Sequence, residues 1–106
     1  MINSKQKGKR GELEFVHFLK EHNIDARRGQ QYKGTSDSPD VISEMKFVHW
    51  EVKRTEKLRL YKYLNKATQE AKTKIPIVAY RKNKEKWVCI LDAEIMLDIL
   101  RRYRNY

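Results

Sequence analysis

"SPDVISEMKFVHWEVKR", residues 38–54, decides how the chain is read. Its β-branched and aromatic residues favour strand, yet two acids, Asp40 and Glu51, and a lysine, Lys53, stand among them. The segments "DVIS" and "FVHWEVKR" predict two antiparallel strands joined by a tight turn at Met45 and Lys46. A turn at that place sets Asp40 opposite Glu51, with Cβ atoms roughly 5 Å apart on one face. Strand alternation adds Lys53 and His49 to that face and sends Val48, Trp50 and Val52 to the other, as core. Two carboxylates so close repel. A divalent cation between them resolves the conflict, since Mg²⁺ prefers hard oxygen ligands and takes one or two carboxylates beside its waters. The Val52 carbonyl is a further candidate oxygen. The plainer reading leaves Asp40 at the end of a turn and Glu51 and Lys53 on an exposed hairpin face.

A third acid weighs against the plainer reading. A helix is expected over about Gly11 to His22, ending in a turn at Asn23. On a wheel of about 100° per residue, Phe15, Val16 and Leu19 fall within about 60° of Glu12, which therefore points with the core-facing side. Glu14, His17 and Glu21 fall on the far, wet side. An acid in the first turn favours the helix dipole, but Glu14 would serve that purpose equally well. Inward placement of Glu12 suggests that it approaches the Asp40 and Glu51 pair.

Outward from these elements, an extended piece near Ala26 to Gln31 precedes the polar loop "YKGTSDSP". Residues Leu58 to Lys74 carry a helical stripe that stops before Pro76. "IPIVAYRK" and "KWVCIL" predict a hairpin, and Asp92 caps a last helix with Met96, Ile99, Leu100 and Tyr103 on one face. The order is αβββαββα, an α/β (α+β) arrangement with a central mixed sheet of about five strands. With 106 residues, the chain fits one domain, 1–106. The single cysteine, Cys89, excludes an internal disulfide or thiolate zinc cluster and is read as packing. His17 and His22, five apart on the exposed side of the first helix, make no zinc pattern with His49. Apolar runs are too short for a membrane span and no signal peptide is visible, so a cytoplasmic protein without a membrane partner is expected.

The motifs resemble the PD-(D/E)XK nuclease superfamily. "PDVI" followed by "EVK" supplies Pro39, Asp40, Glu51 and Lys53, with ten residues between the two acids. "KGKRGELEF" places a basic stretch and Glu12 on the opening helix. "ARRGQQYKGTSDSPD" is similar to the basic strand and serine loop before the aspartate, Gln69 lies on the next helix, and "IPIVAYRKNKEKWVCI" resembles the closing hairpin. Within the superfamily the chain looks most like the archaeal-type (Hjc-like) Holliday junction resolvases, including small phage-encoded relatives. The resemblance implies a restriction-endonuclease-like fold and a Mg²⁺-dependent endonuclease, Mn²⁺ being a possible substitute, that acts on four-way or other branched DNA as a homodimer. It implies metal binding by Asp40, Glu51, the Val52 carbonyl and Glu12, and a water-orienting or deprotonating role for Lys53. It adds Gln69, and Ser36 as the loop hydroxyl, with Thr35 and Ser38 competing.

A net charge of +10 and a pI near 9.8 independently suit a polyanion. Lys7, Lys9, Arg10, Arg27, Arg28, Lys33, Lys62 and Lys66 are the candidate phosphate contacts. Three outcomes stay open: a resolvase, another structure-selective or nicking nuclease, and a nonenzymatic basic nucleic-acid-binding module whose acids are structural.

Overall fold

A computed structural model describes residues 4–29 and 39–104, with side chains described from Lys7 onward. The elements run α1 (Ser4–Glu21), β1 (Ala26–Arg28), β2 (Val41–Ser43), β3 (Val48–Arg54), α2 (Leu60–Ala71), β4 (Ile75–Arg81), β5 (Val88–Ile90) and α3 (Ala93–Tyr103). This is the order expected from the sequence. The five strands form one mixed sheet in the order β1-β2-β3-β4-β5. Only β3 and β4 pair in parallel; the other neighbours are antiparallel. A parallel pair needs a crossover, and α2 supplies it.

The β2–β3 register matches Val41 with Trp50, the register expected of a turn at Met45 and Lys46, although residues 44–47 join the strands and the turn itself falls at Lys46 and Phe47, a residue expected in the strand. Asp40 extends that ladder by donating its N–H to the Trp50 carbonyl at 2.9 Å. Strand alternation then sorts the chemistry by face. On one face Val48, Trp50, Val52 and Ala79 pack with Phe15, Val16 and Leu19 of α1. Phe15 meets both Trp50 and Trp87 with ring centroids 5.0 Å apart, and the Trp50 indole N–H finds the Ser43 hydroxyl at 3.1 Å. The opposite face carries His49, Glu51 and Lys53 beside Val78 and Tyr80, and α2 packs on these two strands with Ala67 and Ala71 buried.

Two glycines permit close approaches, one of helix to strand and one at the Asp40 corner. A Cβ on Gly11 would lie 2.7 Å from Arg54 Cβ, so α1 rests directly on the end of β3. A Cβ on Gly29 would lie 1.9 Å from the Pro39 carbonyl oxygen, and the Gly29 N–H donates to the Asp40 carbonyl at 2.9 Å.

Three expectations change. The basic leader is helical from Ser4 rather than preceding a helix at Gly11, because lysine, glutamine and arginine are good helix formers. Asn23 ends the helix as expected, with φ 63°. Cys89 is exposed on the short edge strand β5 rather than packed in the core, although partial burial of its thiol raises its pKa. Glu14 is not a purely solvated residue: it bonds Arg54 Nε at 3.2 Å and also pairs with Arg81. Those arginines reach it from the ends of β3 and β4. Asp92 caps α3 as predicted, accepting from the Glu94 N–H at 2.8 Å. None of α3 is buried. Among the described residues, no helix is long and apolar enough to cross a membrane.

Candidate active site

Asp40 stands where β1, β2 and β3 meet, and is held by the main chain. Besides its two backbone bonds, its Oδ2 accepts the Val52 N–H at 2.8 Å. Aspartate suits a position just before a short strand because its carboxylate satisfies a nearby backbone donor. Only 8% of Asp40 is exposed, and burial, with the neighbouring Glu51 charge, raises its pKa to about 7. The Val52 N–H and Lys53 oppose that shift, while Glu12 reinforces it. Each of these groups therefore acts electrostatically on Asp40.

Glu51 is more deeply placed, with 1% exposed in the middle of β3. Among the described residues neither of its oxygens makes a well-formed hydrogen bond; Oε2 has the Lys66 ammonium at 3.1 Å. A buried carboxylate so poorly satisfied is costly. Lys66 also lies 3.9 Å from Oε1 of Glu70, one helical turn further along α2. Burial lowers the Lys66 pKa, but the Glu51 carboxylate beside it, with Glu70 and Asp40, outweighs that and holds the pKa above the ordinary lysine value. Glu70 Oε2 is in turn 3.8 Å from Nε2 of His49.

Lys53 lies at the rim, its ammonium 5.0 Å from the centroid of the Tyr63 ring, which restrains the flexible side chain. Glu12 is partly buried, and its Oε1 accepts from Arg28 Nε at 2.9 Å. Arg28, a candidate phosphate contact, is thus engaged with an acid of the cluster.

Glu51, Glu12 and Lys53 therefore all lie near enough to act on the charge of Asp40, and Val52 reaches it through its backbone N–H. Gln69 is exposed on α2; the groups of that helix beside Glu51 are Lys66 and Glu70. Ser36, its competitors Thr35 and Ser38, and Lys33 lie outside the described residues. Lys7, Lys9, Arg10, Arg27 and Lys62 are exposed, as phosphate contacts must be. His49 shares the face of Glu51 and Lys53 as expected, but only 2% of it is exposed, so it meets Glu70 beneath α2 and not solvent. Sequence reasoning missed Glu70 altogether. The signal was the i,i+4 spacing of Lys66 and Glu70 on the side of α2 that also holds Ala67.

The donor set fits a hard divalent ion on an observation independent of any motif. The Glu51 carboxylate is almost wholly removed from water without adequate hydrogen bonding, and a second acid beside it is held partly neutral. The sheet order and helix placement also have a solved counterpart. A structure of Hjc, a Holliday junction resolvase from the archaeal hyperthermophile Archaeoglobus fulgidus, superposes with a TM-score of 0.61. The fold is restriction-endonuclease-like. Identity to that resolvase is 18%, over 77% of this chain and 73% of the other. Neither protein-family models nor curated protein sequences give a match. In this frame Asp40 immediately precedes β2, Glu51 lies on the antiparallel neighbour β3 and Lys53 follows two residues later on β3, an arrangement that rests on register rather than on sequence likeness.

Proposed function

We propose that the chain is a divalent-cation-dependent endonuclease acting on branched DNA, with a Holliday junction as the preferred substrate. The observation that carries this reading is the buried Glu51 carboxylate, under-bonded beside Asp40. Asp40, Glu51, the Val52 carbonyl and Glu12 are the groups that would hold Mg²⁺, or Mn²⁺ in its place. A bound ion supplies Lewis acidity toward the phosphodiester and a lowered pKa for its water.

The protein's own residues perform the remaining tasks. Lys53, braced by Tyr63, presents a compact positive charge where the phosphoryl oxygens gain charge, and orients the attacking water. Val52 fixes the orientation of Asp40 through its N–H. Lys7, Lys9, Arg10, Arg27 and Lys62 anchor phosphates on exposed surface, a role extended to Lys33 and, once it leaves Glu12, to Arg28. Ser36 and Gln69 are assigned auxiliary roles at the substrate.

Two equivalent cuts across a four-way junction call for a twofold homodimer. Exposed Met96, Leu97, Ile99 and Leu100 on α3 give an apolar surface for it, one that the described part of a single chain does not bury. The whole chain then acts as one nuclease domain in cytoplasmic DNA recombination and repair.

The test compares labelled four-way junction, linear duplex and single strands, with Mg²⁺ and with EDTA. Mg²⁺-dependent cutting of the junction well above the other forms is expected, and Glu51→Ala abolishes cutting while leaving junction binding within a few-fold. Equal cutting of every form would favour a nicking or other structure-selective nuclease. Binding with no cutting under any divalent ion would favour a nonenzymatic module.

A further inference from the structure

Beyond the Mg²⁺ site, and resting on the same reading of Glu51, we propose a second cation site. His49, Glu51 and Glu70 form it, it takes a borderline transition ion of the Mn²⁺ or Zn²⁺ class, and Lys66 fills it when no metal is bound. One ligand atom from each of the three residues lies within 4.8 Å of the others. Two metal–ligand bonds of about 2.0–2.2 Å span at most about 4.4 Å, so small side-chain rotations close the set around one ion.

The placement is rigid. His49 and Glu51 are alternate residues of a central strand, and Glu70 comes from the helix packed on that face. Glu51 is only 1% exposed and has no well-formed hydrogen bond among the described residues, so its carboxylate is met by a mobile cation, Lys66, rather than by fixed donors. Lys66 provides a single positive charge at that place, 3.1 Å from Glu51 and 3.9 Å from Glu70. Its side chain is 53% exposed, so its ammonium can withdraw into water at little desolvation cost when a doubly charged ion arrives.

The donor types set the selectivity. Calcium and magnesium prefer all-oxygen sets, whereas an imidazole nitrogen with two carboxylates suits manganese, zinc or cobalt. Glu51 is then common to both sites, which couples them.

Co²⁺ is the probe, because its paramagnetism reports which ligands it touches. In the metal-free full chain, Co²⁺ is expected to shift the imidazole resonances of His49 and leave those of His17 and His22 in place. His49→Gln and Glu70→Gln each remove one equivalent of bound Co²⁺, and Lys66→Met, which removes the competing charge, tightens Co²⁺ binding at least five-fold. Unshifted His49 resonances at saturating Co²⁺, or Lys66→Met binding more weakly than the wild type, would overturn the proposal without requiring any variant of the acids. The nuclease reading fails separately: Asp40→Asn must lose Mg²⁺-dependent cleavage yet keep the His49 shift if both sites exist. Loss of that shift in Asp40→Asn would overturn the second site, and cleavage unchanged in Asp40→Asn would overturn the first.

Discussion

Asp40 is a carboxyl group that the metal-free fold holds against ionisation. Its pKa rises from 3.8 to about 7, chiefly by burial and then by the Glu51 charge. Between these values the folded state binds more protons at this residue than the unfolded state does, so its contribution to stability falls as pH rises and is most unfavourable above about 7. Asp40→Asn retains an oxygen for the Val52 N–H and removes the charge. In EDTA at pH 8 the variant should therefore be more stable than the wild type by about 2–4 kcal/mol, a gap that closes toward pH 4. Urea unfolding at a series of pH values measures it. Added Mg²⁺ should raise the melting temperature of the wild type and leave that of Asp40→Asn nearly unchanged. The opposition of Asp40 and Glu51 was legible in the sequence because a connection as short as residues 44–47 leaves little choice of which residues face each other. The i,i+4 spacing marks Lys66 and Glu70 as a pair, but a crossover helix carries that pair to Glu51, and the spacing does not encode where the helix lands.

At the level of elements, α1 shows where local pattern misleads. Its first turns carry no apolar stripe, so lysines and a glycine read as a leader, yet the helix reaches back to Ser4, in keeping with the helix propensity of lysine, glutamine and arginine. Gly8 has no neighbour within 4 Å of a built Cβ, and Gly8→Ala should stabilise the fold by about 0.5–1 kcal/mol. Gly29→Ala meets the Pro39 carbonyl oxygen at 1.9 Å. That contact involves backbone on both sides, so a loss of about 3 kcal/mol or more is expected, with displacement of Asp40. Thermal melts of the two variants, compared with the wild type, should move in opposite directions. Strand identity and order were readable from alternation and turn residues. The parallel pairing of β3 with β4 needs the long connection that α2 occupies, but that length does not by itself select it.

For the molecule as a whole, a charge of +10 and an uncovered α3 set the behaviour in solution. DNA affinity should fall steeply with salt, by about tenfold or more between 50 and 200 mM, as counterion release requires when several phosphates are contacted. Filter binding across that range measures the slope. Leu100→Glu places a charge on the apolar face of α3 and should convert a dimer to a monomer in light scattering while leaving the melting temperature within a few degrees, since Leu100 is 51% exposed in the single chain. The amphipathic pattern of α3 was visible in the sequence, but a stripe of that kind does not disclose whether its own fold or a second copy covers it.

The parallel pairing of β3 with β4 also separates the groups of the site along the chain. The β2–β3 hairpin joins residues close along the chain, so its two acids can meet early, whereas Lys66 arrives only after the long loop through α2 has closed. Chain connectivity thus supplies Lys53 to the two acids on the strand itself and Lys66 only through the crossover, so of the two cations it is Lys66 whose place depends on the completed packing of α2.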